Sequence, residues 1–463
     1  MLHIDNSLTP DDLTAAIGRM WELSAQKLLA IEQTWSPGAG APVFTVGGRY
    51  TSRAWTDWTQ GFQFGSALLQ YDATGEERFL HLGRENIYRY MPVHITHTGV
   101  HDHGFNTIST YGNLWRLFRE GRLPHDPAEL RLCELAICCS GAVQAMRWAR
   151  TADGGGYIYS FNGPHSLFAD TMRTLRVLAL AHLLGHVLKG EGDQPISLLE
   201  RLLQHAQTTA RYTVYYGEGR DIYDVRGRVA HESLFNPNNG SYRAPSTQQG
   251  YSPFSTWTRG LAWVLLGFAE QLEFTDVLQD AQLEPFGGCT AVQELLLRPA
   301  LATADFYLQN TPTDGIPYWD TGAPGLVHLG DYLNRPADPF NPYEPVDSSA
   351  AAIAAQGLLR LGHWLSGQGR DEEGTRYWQA GLTVLKRLLE EPYLCTDPHH
   401  QGLLLHSVYH RPNGWDHVPE GQRVPGGEAT MWGDYHLREV CLYVQRIARD
   451  ERYHAFFAPT EGG

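Results

Sequence analysis

The strongest constraint on the fold is a repeated pair of helical patterns. In each copy an apolar stretch rich in small residues enters a short turn of glycine or acidic residues, and an amphipathic stretch with a charged face follows. Residues 65–80 contain the join, with Gly75, Glu76 and Glu77 between the two patterns. Residues 259–275 supply a second apolar stretch. Residues 350–361 supply a third, after which Tyr377, Gly381, Val384, Leu385 and Leu388 recur at helical spacing. A helix that is apolar on all sides needs an interior position, and an amphipathic one covers its flank. Repetition of the pair therefore predicts an all-α ring, an (α/α)6 barrel or six-hairpin toroid, with an open helical solenoid as the alternative. Thr9-Pro10 with Asp12, and Asp126-Pro127, mark helix starts. Alternating β-branched runs are rare, and composition hardly changes along the chain, so a single domain over residues 1–463 is expected.

Charge excludes some functions. Thirty-six Lys and Arg stand against 51 Asp and Glu, a net charge of −15, which disfavours general binding to nucleic acid or anionic membranes. No window reaches the roughly 18 uninterrupted apolar residues of a membrane span. The first residues carry neither a basic region nor an apolar one, so no secretory signal is read and a cytoplasmic protein is expected. Cys133, Cys138, Cys139, Cys289, Cys395 and Cys441 lack paired CxxC spacing and are expected to be reduced.

The chain has 13 Trp and 23 Tyr, a supply suited to the apolar faces of sugar rings. His101-Asp102-His103-Gly104-Phe105 feeds a helix through Trp115 and Phe118, and Asp170 precedes the stretch of Leu175, Leu178 and Leu183. Both aspartates stand where a carboxylate caps a helix. Alternatively, they meet at one mouth of the ring, where proximity raises the proton affinity of one and allows general acid/base work. His101, His103, His399 and His400 lack further ligands at metal-site spacing, so no metal and no cofactor is expected. Arg259, at the entry to the 259–275 stretch, has the fork geometry that holds a carboxylate.

Several of these stretches, taken in order, resemble the unsaturated glucuronyl hydrolases, glycoside hydrolase family 88. They are HDHGF (101–105), ADTM (169–172), QQGY (248–251) with STWTRGLAW (255–263), IPYWDTGAP (316–324), DSSAAAIAAQGLL (347–359) and MWGDYHLRE (431–439). The resemblance implies an (α/α)6 barrel glycosidase that removes the 4,5-unsaturated uronic acid from lyase-generated oligosaccharides by hydration of its vinyl ether. By position it implies Asp170 as general acid/base and Asp102 as the second essential carboxylate. It implies Trp58, His101, Phe105, Phe161, His231, Gln248, Gln249, Trp257, Arg259 and Trp263 as substrate-binding residues, with Arg259 at the uronate. Gln248 stands where histidine is often found, Leu261 in place of Gln, and Phe161 in place of tryptophan, which bears on the second sugar site. Arg411 and Arg423 are candidates for an anionic leaving sugar. The partner expected is the unsaturated uronyl oligosaccharide, with oligomeric state open. The competing readings are a sugar epimerase or isomerase using loop histidines and a silent carbohydrate-binding barrel.

Overall fold

The computed structural model describes residues 1–452 and 455–457; the remainder of the expected domain, 453–454 and 458–463, lies outside the described residues. Its helices alternate between an outer and an inner layer. The outer helices are α1 (Thr14–Thr34), α3 (Glu77–Tyr90), α5 (Pro127–Met146), α7 (Leu198–Tyr212), α9 (Cys289–Asn310) and α11 (Asp371–Leu388). The inner helices are α2 (Gln60–Thr74), α4 (103–119), α6 (171–183), α8 (Thr258–Thr275), α10 (Ser348–Gly367) and α12 (Met431–Ala448). Inner neighbours contact one another around the ring, and α12 closes it against α2. The ring thus displaces the open solenoid.

Burial follows the two patterns read in the sequence. Every residue of α8 is buried, whereas α3 buries only Phe79, Leu80, Gly83, Asn86 and Ile87, one stripe of its surface. Helix α2 ends where Gly75 takes a left-handed φ of 73° as its C-cap. Asp126 caps α5 by accepting from the amides of Ala128 and Glu129. The first helix starts later than Thr9-Pro10 suggests: Asp12 accepts from the Thr9 amide and hydroxyl, a 3-10 turn follows, and α1 begins at Thr14. The six cysteines are free. No helix among the described residues is long and apolar enough to cross a membrane.

Two features position the upper end of the ring. Helix α4 is built from His103–Thr107, a π-helical turn Ile108–Gly112 and Asn113–Arg119, an irregularity of the kind that re-aims side chains near sites. Strands are sparse but present. β1 (Ser166–Phe168), β2 (Glu232–Phe235) and β3 (Tyr242–Ser246) form an antiparallel sheet in the order β1-β2-β3. These short pieces have no alternating pattern long enough to read in the sequence.

Inside the ring, α6, α8 and α12 are joined by buried charge. Arg173 lies 2.9 Å from Glu270 and 2.9 Å from Glu439, and Arg176 lies 3.4 Å from Glu439. All four side chains are almost wholly withdrawn from solvent, so each charge depends on its partners. Truncating Glu439 to alanine leaves Glu270 alone to balance both arginines, and a loss of about 3–5 kcal/mol in urea denaturation is expected. The exposed Arg211–Asp153 pair, by contrast, contributes less than about 1 kcal/mol, measured in the same way for Arg211→Ala.

Packing of α4 on α6 sets a second limit. A Cβ at Gly104 would lie 2.0 Å from the Thr174 carbonyl oxygen and 2.4 Å from its Cα, so only glycine fits without separating the helices. Gly104→Ala is expected to cost at least about 1–3 kcal/mol of stability, seen as a lower thermal midpoint.

Candidate active site

Asp102 and Asp170 both occupy helix N-cap positions, yet neither side chain accepts a bond from its own helix. Capping would have consumed the carboxylates; here they stay available to the open end of the ring. The β1–β2 pairing fixes their surroundings. As β1 leaves the sheet, the Ala169 amide donates to the His231 carbonyl at 2.9 Å, which sets Asp170 beside the start of β2.

His101 connects the two carboxylates. Its Nε2 lies 3.3 Å from Asp170 Oδ2 and 3.7 Å from Asp102 Oδ1. The ligand atoms of these three residues fall within 4.8 Å of one another, a spacing that would also suit a cation; in the structure the trio is closed on itself by the histidine. His101 Nδ1 and Asp170 Oδ1 are buried and meet no partner among the described residues. Such atoms are costly unless a ligand or water meets them, which marks this end of the cleft for a polar guest.

The proton affinities follow from these contacts. Burial pushes the Asp102 carboxyl above the usual carboxylate range, and the Asp170 charge adds to that against the opposing pull of His101. Burial also acts upward on Asp170. There the His101 hydrogen bond and the His101 charge are the main opposing influences, and the carboxyl ends below its ordinary value. His101 is disfavoured as a cation by burial, but Asp102 and Asp170 raise it above the ordinary histidine value. Of the two carboxyls, Asp102 is the one raised and Asp170 the one lowered, with His101 raised between them.

A cleft of about 810 Å³ opens above the trio. Asp102, Asp170, Trp58, His101, Phe105, Phe161, Gln248, Gln249, Trp257, Arg259 and Trp263 all line it, as the sequence predicts. Its floor is aromatic: Trp58 packs 5.0 Å from Trp432 and 5.6 Å from Phe105, which packs 4.9 Å from Trp263. His231 stands outside the lining. Its Nδ1 accepts the amides of Gln248 (3.0 Å) and Gln249 (3.4 Å), so it supports the turn that carries both glutamines. Burial lowers it to about 4, and it remains a neutral acceptor.

Arg259 is also employed differently from the expectation. Its Nη1 donates to Asp347 Oδ2 at 2.6 Å and to the Val408 carbonyl, and its Nη2 donates to Gln249 Oε1 (3.0 Å) and the Tyr409 carbonyl (2.7 Å). Both ends of the fork are thus engaged by the protein. One result is that Gln249, with its oxygen taken, has its amide NH2 left as donor. Arg411 and Arg423 do not line the cleft; Tyr409, His410, Asn413 and Trp415 of the same loop do. Trp55, Asp57, His97 and Asn162 are further lining residues that sequence reasoning missed. The clue available for the 409–415 loop is a run of aromatic and amide residues between two helices.

The likeness to the unsaturated glucuronyl hydrolases extends over most of the chain. The unsaturated glucuronyl hydrolase of Bacillus sp. (strain GL1) is 26% identical over 396 residues, covering 84% of this chain and 87% of that protein. The unsaturated chondroitin disaccharide hydrolase of Streptococcus agalactiae is 22% identical over 399 residues, 84% of this chain and 81% of the relative. The crystal structure of the Bacillus sp. GL1 enzyme superposes with a TM-score of 0.68 at 24% identity, covering 94% of this chain and 97% of that one, and shares its barrel fold. No protein-family profile matches the chain.

The electrostatics can be read directly. The His101 ring should titrate above 6.5 in a proton NMR experiment, and Asp170→Asn, which removes a charge and an acceptor, should move that titration down. In the wild type, stability from the raised His101 is fully present below the unfolded-state value and is lost as pH climbs through the folded one. Stability from the lowered Asp170 is present above its unfolded value and is lost as pH falls through the folded one.

Proposed function

We propose that this chain, a relative of the unsaturated glucuronyl hydrolases, is a glycosidase that removes a 4,5-unsaturated uronic acid from the non-reducing end of lyase-generated oligosaccharides by hydrating the C4=C5 bond. The observation that carries this reading is the buried Asp102–His101–Asp170 trio at the base of an aromatic cleft, in a chain 26% identical to the Bacillus sp. (strain GL1) enzyme over 396 residues.

The uronate ring lies on the aromatic floor, with the Gln249 amide NH2 available to its carboxylate. Arrival of that anion raises the affinity of Asp170 for a proton, which His101 supplies across their hydrogen bond. Asp170 delivers the proton to C4, and the positive charge that develops at C5 is shared with the ring oxygen. Water adds at C5 and returns a proton to the carboxylate. The resulting hemiketal opens, and the hemiacetal left at C1 releases the second sugar. Asp102, kept elevated by burial, contributes a hydroxyl or carboxylate beside the reacting face. No covalent sugar–enzyme bond is required, so the carboxylate-separation rule for retaining and inverting enzymes does not govern this site.

The reaction destroys an ultraviolet chromophore, and that gives the test. With a panel of unsaturated uronyl disaccharides, the wild-type protein should bleach the absorbance of at least one. Asp170→Asn should slow that bleaching by about 10²–10⁴-fold while the protein remains folded by circular dichroism. Near-normal turnover by Asp170→Asn would remove Asp170 from the role assigned to it.

A further inference from the structure

The most exposed apolar side chain of the cleft plays no part in the mechanism above. Trp55 lines the cleft yet is 89% exposed, and its backbone sits at φ 67°. A bulky residue in the left-handed region is an outlier that persists only where its surroundings enforce it. The enforcement is visible. The Thr56 hydroxyl donates to the Arg53 carbonyl at 2.6 Å, and the Thr59 hydroxyl donates to the carbonyls of Thr56 (2.9 Å) and Pro42 (2.8 Å). Asn106 of α4, four residues beyond Asp102, donates to the Asp57 carbonyl at 3.1 Å. The turn is thereby tied to the helix that carries a catalytic carboxylate.

This turn separates two tryptophans into two environments. Trp58 is packed into the floor against Trp432 and Phe105, while Trp55 stays in solvent at the rim. Phe161 is half exposed and stacks on His101, with rings 6.1 Å apart at 24°, so it belongs to the wall nearest the reacting bond. An exposed indole held in a strained turn, continuous with a sugar cleft, offers a flat face to whatever extends out of that cleft.

We propose that Trp55 is the specificity-determining platform for the leaving sugar, stacking on the apolar face of the pyranose released from C1. The inference rests on the hydrolase reading and deepens it. The substrate class is then an unsaturated uronate attached to at least one further pyranose, because a smaller aglycone leaves the indole uncovered.

The test compares two substrates on Trp55→Ala and Trp55→Phe: an unsaturated uronyl disaccharide and the methyl glycoside of the same unsaturated uronic acid. Stacking predicts that Trp55→Ala lowers kcat/KM for the disaccharide about 3–10-fold, through KM with kcat preserved, changes the methyl glycoside by less than about twofold, and is largely rescued by Trp55→Phe. Equal losses on both substrates, or no loss on the disaccharide, would overturn the proposal. Calorimetric titration of both compounds into Asp170→Asn, with and without Trp55→Ala, separates this from failure of the hydrolase reading. If the wild type bleaches neither compound the mechanism falls, and selective loss of disaccharide affinity still decides whether Trp55 holds the second sugar.

Discussion

The approach of one backbone to another, Gly104 of α4 against Thr174 of α6, is the contact on which the chemistry of this barrel depends. With no side chain at residue 104, the first turns of two inner helices come close enough for the Thr174 hydroxyl to donate to the His101 carbonyl at 3.1 Å. His101 is then held between Asp102, just ahead of α4, and Asp170, just ahead of α6. Two carboxylates at that range would repel each other in a buried setting, and an imidazole between them offsets that repulsion. Helix geometry and histidine position both depend on the close approach that a missing Cβ allows.

The layer below holds the helices to that arrangement. Arg173 and Arg176 belong to α6, the helix that Asp170 immediately precedes, and their partners Glu270 and Glu439 come from α8 and α12. An apolar contact tolerates rotation of a helix, whereas buried charges must meet their partners in one register. The Asp170 end of α6 is therefore fixed from both sides, by Gly104 and His101 above and by the ionic cluster beneath.

Much of this was legible in the sequence, and what was not has identifiable causes. Inner and outer helices could be told apart because apolar residues dominate residues 350–361 and 259–275 all round, while Tyr377, Gly381, Val384 and Leu388 mark only one face. Asp102, Asp170 and the aromatic liners were found because ordered stretches carry them. Strands β1 to β3 were not, since three to five residues show no period. The protein partners of Arg259 were not legible, because a guanidinium at a helix entry looks the same in a sequence whether or not Asp347 and carbonyls some 150 residues further along the chain engage it. The balance of protons between Asp102 and Asp170 depends on which carboxylate His101 approaches more closely, a tertiary fact. Trp55 gave no signal at all, because its significance lies in exposure and a positive φ.

Whether cleavage follows hydration or attack at the anomeric carbon is visible in a single reaction mixture followed by proton NMR. With hydration, the vinyl proton at C4 disappears at the rate at which the reducing sugar is released, mole for mole. Release of the sugar with the C4 vinyl signal intact in the freed uronic acid would contradict it.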